Sequence, residues 1–268
     1  MSLSTADVVL PAEEQPVDAH GTPMLVDGEV PAELFLPEGA GRWPGIVMGA
    51  EAYGPNHATR TVSAALAQRG FAVLLPDYYR GAGPVDRENY EDFTEVTGAI
   101  ATLDFRRAFL DTAAAVDHLR EHESVDATRV GVWGYCTGAT MALMAAVLRA
   151  DLAAAVLFFP SQPRFPVHDD AHPVDPVDLL WAIRCPTLLQ YGTEDMVLSG
   201  GDVDLAEIKR RIDGWGVDIT VVEHPGANHA FNAPNGPLRH DAADRAGWAE
   251  ALAFIQRHLA PGDADRRP

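Results

Sequence analysis

The sequence has few cysteines, few basic residues and no long apolar run. Two cysteines among 268 residues cannot form a disulfide framework, and Cys136 and Cys185 lack the spacing of a metal site. No apolar stretch reaches the roughly 20 residues needed to span a bilayer. The segment from Met1 to His20 lacks the basic and apolar regions of a signal peptide. These absences predict a cytoplasmic protein in a reducing compartment.

Acidic residues outnumber basic ones: the chain has 39 Asp and Glu but 20 Lys and Arg, which gives a formal net charge of -19. This charge repels nucleic-acid phosphates and anionic lipid surfaces, so neither nucleic acid nor a membrane is expected as a partner. The hydrophobic fraction of 47% suffices for one sizeable core. We expect one domain over residues 25–260, an N-terminal extension over 1–24, a polar tail over 261–268, and a monomer or small homo-oligomer.

Short apolar segments alternate with amphipathic ones along the chain. After a hairpin around residues 23–36, strands are predicted at 45–49, 71–76, 129–134, 153–159, 186–191 and 218–223. Helices are predicted at 59–69, 112–123, 139–149, 204–215 and 241–258. This alternation is typical of an α/β fold with a mostly parallel, doubly wound sheet and helices on both faces. The segment 162–180, rich in Pro, Asp and His, is predicted as a surface excursion or lid.

The motif Gly134-Tyr135-Cys136-Thr137-Gly138 joins a predicted strand to a predicted helix. It matches the nucleophile elbow G-x-S-x-G, with cysteine in the position of serine. Such an elbow is a strained turn whose flanking positions need glycine. A helix that starts there offers free N–H groups, which stabilise a thiolate or an oxyanion. An isolated cysteine is more often a buried structural residue, but in this context Cys136 is predicted to be the nucleophile.

An acid and a base follow the elbow in the order that α/β-hydrolases use. Asp195 comes directly after the strand 186–191, where a carboxylate can reach the end of the sheet, and Glu194 is the alternative acid. An aspartate that caps a turn is an ordinary alternative for this position. His229 follows the strand 218–223 in a Gly-rich loop and is the predicted base, whereas His224 is predicted to be structural.

Four sequence blocks resemble the dienelactone hydrolase (carboxymethylenebutenolidase) family of α/β-hydrolases, and the resemblance spans about residues 25–258. The blocks are Ala50-Glu51-Ala52-Tyr53-Gly54, Pro76-Asp77-Tyr78-Tyr79-Arg80-Gly81, the elbow, and Asn228-His229-Ala230-Phe231. The resemblance implies an α/β-hydrolase fold and hydrolysis of a small ester or lactone without metal or organic cofactor. It also implies a triad of Cys136, Asp195 and His229.

The same resemblance implies roles for residues around the triad. Glu51 matches a glutamate that helps to generate the thiolate when substrate binds. The backbone N–H groups of Ala52 and Thr137 match the oxyanion hole. Arg80 matches one of two family arginines that bind a substrate carboxylate, and Ala233 stands where the second is found. This difference suggests a neutral or differently shaped ester as substrate.

Two further expectations complete the prediction. Aromatic side chains are expected to line the pocket: Tyr53, Tyr79, Phe105 and Trp181. The alternatives to an ester or lactone hydrolase are a biosynthetic thioesterase, a lactone-opening or rearranging enzyme on the same triad, and a non-catalytic binding protein. A binding-only site has no need of an activated nucleophile, which argues against the last.

Overall fold

The computed structural model describes residues 21–87, 90, 93–199, 203–234 and 236–259. The predicted tail, 261–268, and residues 1–20 of the predicted extension lie outside the described residues. The first strand begins at Thr22, so the last residues assigned to the extension belong to the folded domain. Within the described ranges, no helix combines the length and apolar character needed to cross a bilayer.

Within the part of the chain that the structure describes, eight strands form one sheet in the order β1-β2-β4-β3-β5-β6-β7-β8. They are β1 (Thr22–Val26), β2 (Val30–Phe35), β3 (Trp43–Gly49), β4 (Ala72–Pro76), β5 (Val125–Tyr135), β6 (Ala155–Phe158), β7 (Thr187–Gly192) and β8 (Ile219–His224). The pairs β1–β2 and β2–β4 are antiparallel and all other pairs are parallel. The predicted hairpin and the mostly parallel α/β sheet are therefore confirmed.

Helices cover both faces of this sheet. They are α1 (His57–Gln68), α2 (Thr94–Ala101), α3 (Phe105–Glu121), α4 (Thr137–Leu148), α5 (Met196–Ser199), α6 (Leu205–Trp215) and α7 (Asp241–Leu259). Helices α3 and α4 pack against each other and against β3 and β5, α1 packs on β4, and α7 packs on β5 to β7. Helix α4 is apolar on all sides because it lies between the sheet and α3, and its first ten residues are buried.

Capping residues fix the ends of α1, which borders the candidate site. The Asn56 side chain accepts from the backbone N–H of Thr59, and the Thr59 hydroxyl accepts from the backbone N–H of Asn56, each at 3.0 Å. This reciprocal pair is a capping box, and it starts the helix two residues before the predicted position. Gly70, with φ of +90°, lies just beyond the helix end, as predicted for a C-terminal stop.

Several elements differ from the sequence-based expectation. Helix α3 starts at Phe105, seven residues before the predicted start, because the Asp104 side chain caps it by accepting from Arg107 N at 2.9 Å. The predicted lid segment is partly anchored to the domain: Phe165 and Val177 are buried, and Asp175 accepts from the backbone N–H of Phe165 at 2.9 Å. The polar composition of this segment did not allow these buried apolar contacts to be predicted.

Candidate active site

The predicted elbow places Cys136 between the end of β5 and the start of α4. Cys136 has φ of 52° and ψ of −121°, a conformation that non-glycine residues rarely adopt and that local packing has to enforce. A Cβ atom on Gly138 would lie 2.1 Å from the Ala50 carbonyl oxygen, and one on Gly134 would lie 2.3 Å from the Gly138 carbonyl oxygen. The two glycines thus allow α4, β5 and the end of β3 to meet closely enough to form the turn.

The structure brings the three predicted triad residues together. His229 Nε2 is 3.1 Å from Cys136 Sγ, and His229 Nδ1 is 2.9 Å and 3.1 Å from the two carboxylate oxygens of Asp195. Asp195 and His229 are both buried. These distances and this connectivity are those of a nucleophile, a base and a group that orients the base. Residues separated by as many as 93 positions therefore form one hydrogen-bonded unit.

Backbone hydrogen bonds hold the acid and the base in place. Asp195 Oδ1 accepts from the backbone N–H groups of Val197 at 2.9 Å and Leu198 at 3.3 Å. The Asn228 side-chain oxygen accepts from the N–H groups of Met196 at 3.0 Å and His229 at 2.7 Å, which joins the two loops. This role of Asn228 was not recognised in the sequence, although the residue belongs to one of the family blocks.

The alternative acid does not have this geometry. The Glu194 side chain is exposed, while its backbone N–H donates to the Ala227 carbonyl at 2.9 Å. The same turn buries Asp195, so adjacent carboxylates lie on opposite sides of the loop. The geometry therefore favours Asp195 as the partner of the histidine.

The electrostatics of the site favour a thiolate and imidazolium pair. Burial raises the pKa of the Cys136 thiol, but the charge and hydrogen bond of His229, helped by a hydrogen bond from Ser161, lower it below its usual value. Burial lowers the pKa of His229, but the Cys136 thiolate and the Asp195 carboxylate raise it to about 10. Each charge stabilises the other in surroundings that would disfavour either one alone.

The loop after β3 carries Glu51 and is fixed by polar contacts. Glu51 Oε1 accepts from Asn56 Nδ2 at 2.8 Å and from the Tyr90 hydroxyl. The Tyr78 hydroxyl donates to the Glu51 carbonyl at 2.5 Å, and the Tyr79 hydroxyl donates to the Ala52 carbonyl at 2.7 Å. Tyr79, predicted as a pocket residue, thus supports the backbone whose Ala52 N–H is the expected oxyanion donor. Neither Asn56 nor Tyr90 lies in a motif that could have identified it.

An apolar cluster adjoins Cys136. Its buried members are Ala52, Tyr53, Tyr90, Val96 and Ala233, and the Cys136 side chain packs against it. Tyr53, an expected pocket residue, belongs to this cluster, and its ring lies 4.9 Å from that of Tyr90. A cavity of about 110 Å³ between α1 and α7 is lined by Glu51 and by Ala233 of this cluster, but Cys136 does not line it. The apolar cluster, rather than this cavity, therefore lies next to the Cys136 sulfur.

Arg80 is placed differently from the expectation that it binds a substrate carboxylate. Its backbone adopts φ of 54°, and its guanidinium donates to both Asp111 carboxylate oxygens, at 2.7 Å and 2.6 Å, and to Glu29 at 2.8 Å. The turn after Tyr79 directs the side chain to α3 and the β1–β2 hairpin. Two carboxylates already neutralise the positive charge, so the structure assigns Arg80 to an ion-pair network.

Two of the predicted pocket aromatics lie elsewhere. Phe105 is in the core, where its ring is 5.9 Å from Phe109 and 4.8 Å from Phe165. Trp181 is half exposed at the surface beside Asp178, Arg211 and Trp215. Neither side chain belongs to the apolar cluster beside Cys136, because apolar character alone does not distinguish core, surface and pocket positions.

The fold and the order of the site residues define the class of protein. A mostly parallel sheet carries Cys136 on the turn from β5 to α4, Asp195 after β7 and His229 after β8. This arrangement is the α/β-hydrolase fold. The model of the dienelactone hydrolase family matches residues 30–259, so the chain belongs to this family and is a carboxylic ester hydrolase of the dienelactone hydrolase type.

Several named proteins are similar to this chain over most of their length, and their names agree with this assignment. A Bradyrhizobium protein named as a probable 2-oxo-3-(5-oxofuran-2-ylidene)propanoate lactonase is 29% identical over 228 residues, which cover 85% of this chain and 89% of the relative. A Salmonella typhimurium protein provisionally named carboxymethylenebutenolidase is 25% identical, with coverages of 86% and 83%. The crystal structure of a Klebsiella pneumoniae protein, provisionally titled dienelactone hydrolase, shares the fold, with a TM-score of 0.74, 23% identity and coverages of 85% and 93%.

Proposed function

We propose that the protein hydrolyses small, neutral esters or lactones through a Cys136–His229–Asp195 triad and an acyl-enzyme. The observation that carries the proposal is the unbroken contact from Cys136 Sγ to His229 Nε2, at 3.1 Å, and from His229 Nδ1 to Asp195, at 2.9 Å. A histidine in this position can take the thiol proton while the carboxylate fixes its orientation and stabilises its positive charge.

In the first half of the reaction, the Cys136 thiolate attacks the carbonyl carbon of the ester. The C=O electron pair moves onto oxygen, and the backbone N–H groups of Ala52 and Thr137 donate to the resulting oxyanion at the N-terminus of α4. When the tetrahedral intermediate collapses, the C–O bond breaks. The alkoxide takes the proton from the His229 imidazolium, and a thioester to Cys136 remains.

Water completes the second half. His229, now neutral, removes a proton from water as the oxygen attacks the thioester carbonyl carbon. The second tetrahedral intermediate uses the same two backbone donors, and its collapse breaks the C–S bond. Cys136 leaves as a thiolate, the histidine is again protonated, and the carboxylic acid product leaves as its anion after losing its proton to solvent.

Glu51 is proposed to influence the sulfur without bonding to substrate. Its negative charge raises the pKa of the Cys136 thiol and so opposes the thiolate. The donors Asn56 and Tyr90 bind the carboxylate and partly compensate its charge. Movement of these donors when substrate binds would change the stability of the thiolate, which agrees with the role implied by the family resemblance.

The preference for a neutral substrate follows from the groups near Cys136. Ala233 is buried in the apolar cluster, where the family resemblance places an arginine. Arg80 is neutralised by Asp111 and Glu29, and Arg87 contacts Asp77 at 3.1 Å. An uncharged acyl group gains from burial against the cluster, whereas an anionic one would lose hydration without a new partner. The names of the relatives favour a lactone or a comparable small ester.

Turnover of a substrate panel tests this proposal. We expect the wild type to hydrolyse p-nitrophenyl acetate with a kcat/KM at least about tenfold higher than that for anionic dienelactone, since one lost ionic contact has about this effect. A Cys136→Ala blank corrects for spontaneous hydrolysis. Preference for dienelactone would contradict the neutral-substrate proposal. Hydrolysis of a thioester alone would favour the thioesterase alternative over the proposed function. No turnover of any substrate in the panel would contradict the proposal that the protein hydrolyses small esters.

An arginine at position 233 should shift this preference. We expect Ala233→Arg to raise the ratio of dienelactone to p-nitrophenyl acetate turnover about tenfold, because a guanidinium can pair with the lactone carboxylate. Ala233→Met is the matched control, since it adds a long side chain without charge. Equal ratios in the two variants would show that charge at this position does not determine the preference.

A further inference from the structure

Two hydroxyl groups lie beside the Cys136 sulfur and take no part in the bond-making and bond-breaking steps described above. Thr137 Oγ1 lies 3.9 Å from Cys136 Sγ and 3.2 Å from Ser161 Oγ. Ser161 follows β6 and donates a hydrogen bond to Gln162 Oε1. Both hydroxyl residues are buried. A continuous series of polar contacts therefore runs from the sulfur through the two hydroxyls to Gln162.

The number of protons in this series determines how it responds to charge on the sulfur. Each hydroxyl has one proton to donate. The Ser161 proton can go either to Gln162 Oε1 or to the sulfur, and the Thr137 proton can go either to Ser161 Oγ or to the sulfur. A charged acceptor forms a stronger hydrogen bond than a neutral one, so a thiolate attracts both protons. A neutral thioester does not, and the protons then return to Gln162 and Ser161.

We propose that Thr137 and Ser161 are positioning residues that hold the Cys136 sulfur and stabilise its thiolate form. The proposal rests on the proposed function, in which Cys136 is the nucleophile, and it assigns two side-chain hydroxyls to the sulfur, while the backbone donors act on the substrate oxyanion. Because burial opposes a charged sulfur, each donor within reach has a larger effect than it would in water. The hydroxyl pair supplies such donors on the side of the sulfur formed by α4 and the loop after β6.

Other titratable or charged groups act on the same sulfur and must stay unchanged in a test. His229 contacts it directly, Asp195 acts through His229, and Glu51 opposes its charge. The hydroxyls of Tyr78, Tyr79 and Tyr191 interact with its charge. Substitutions at positions 137 and 161 preserve all of these groups, so an effect on the sulfur can be assigned to the hydroxyl pair.

The experiment is the pH profile of Cys136 alkylation by iodoacetamide, measured by peptide mass spectrometry, which distinguishes Cys136 from the buried Cys185. We expect Ser161→Ala and Thr137→Val to move the midpoint of the profile to higher pH. On the acidic side of the midpoint, alkylation should be about tenfold slower, whereas at high pH the wild-type rate should return. Ser161→Thr keeps a hydroxyl and should restore the wild-type profile.

Thr140→Val is the matched control. Thr140 is a buried threonine on the same helix, and its hydroxyl accepts from the Gln162 backbone N–H at 3.3 Å. We expect its profile to equal that of the wild type. Unshifted profiles for both Ser161→Ala and Thr137→Val, with circular dichroism showing the native fold, would overturn the proposal. A shift of the same size in Thr140→Val would also overturn it, because the cause would then be packing.

The result of this alkylation experiment does not depend on the result of the substrate panel that tests the proposed function. Alkylation reports the state of the thiol whether or not an ester is turned over. Shifted profiles in a protein that hydrolyses none of the panel would support the hydroxyl pair and reject the hydrolase proposal. Unshifted profiles in an enzyme that hydrolyses the panel would reject the role of the hydroxyl pair and leave the hydrolase proposal intact.

Discussion

Replacement of Cys136 by alanine is expected to lower kcat/KM for the preferred ester by at least about 10⁴-fold, to the level of spontaneous hydrolysis plus binding effects. The reason is that alanine cannot form the thioester, and the two backbone donors alone cannot supply a nucleophile. Steady-state kinetics with a chromogenic ester measure the loss. Because the alanine Cβ fits the space of the cysteine Cβ, circular dichroism and thermal unfolding should show a native fold.

Cys185→Ala is the matched control for this loss. Cys185 is buried on the approach to β7, and burial raises the pKa of its thiol. Its replacement should leave kcat/KM unchanged and lower the free energy of unfolding by about 1 kcal/mol through lost packing. Retention of more than a few per cent of wild-type turnover by Cys136→Ala would contradict the assignment of the nucleophile.

The second large effect concerns the fold. Gly138→Ala is expected to lower the free energy of unfolding by more than about 4 kcal/mol, or to prevent folding, because its Cβ would lie 2.1 Å from the Ala50 carbonyl oxygen. Relief requires α4 to move away from the end of β3. Domains are commonly stable by only about 5–15 kcal/mol, so the loss should be evident in the yield and in denaturant unfolding.

Gly214→Ala separates this clash from a general effect of alanine in helices. Gly214 lies in α6, and a Cβ there meets no heavy atom within 4 Å. We expect this variant to gain about 0.5–1 kcal/mol, since alanine restricts the unfolded chain and favours the helix. A Gly138→Ala protein as stable as the wild type would show that the elbow does not depend on this close approach.

The proximity of Cys136, Asp195 and His229 could be predicted from the sequence because each residue is tied to a local signal. Cys136 lies between two glycines at the end of an apolar strand, and Asp195 and His229 follow later strands. In a parallel sheet, the carboxyl ends of the strands share one edge, so order along the chain determines proximity in space. The alternation of short apolar and amphipathic segments predicted most of the strands and helices that carry these residues.

The surroundings of the triad could not be predicted in this way. Arg80 follows a recognisable block, but its direction depends on a left-handed turn and on carboxylates at Asp111 and Glu29. Tyr90 reaches Glu51 from 39 residues away, and Ser161 reaches Thr137 from 24 residues away. Such contacts depend on how loops pack over the sheet edge, which periodicity and motifs do not specify.

The most direct test of the central claim is to trap the acyl-enzyme. The wild type is mixed with an excess of a slowly hydrolysed neutral ester, quenched in acid, and examined by intact-protein and peptide mass spectrometry. We predict a mass increase of one acyl group, located on the peptide that contains Cys136 and lost when turnover is allowed to finish. Turnover without any acylated species, or an acyl group on another residue while Cys136 stays free, would contradict the mechanism.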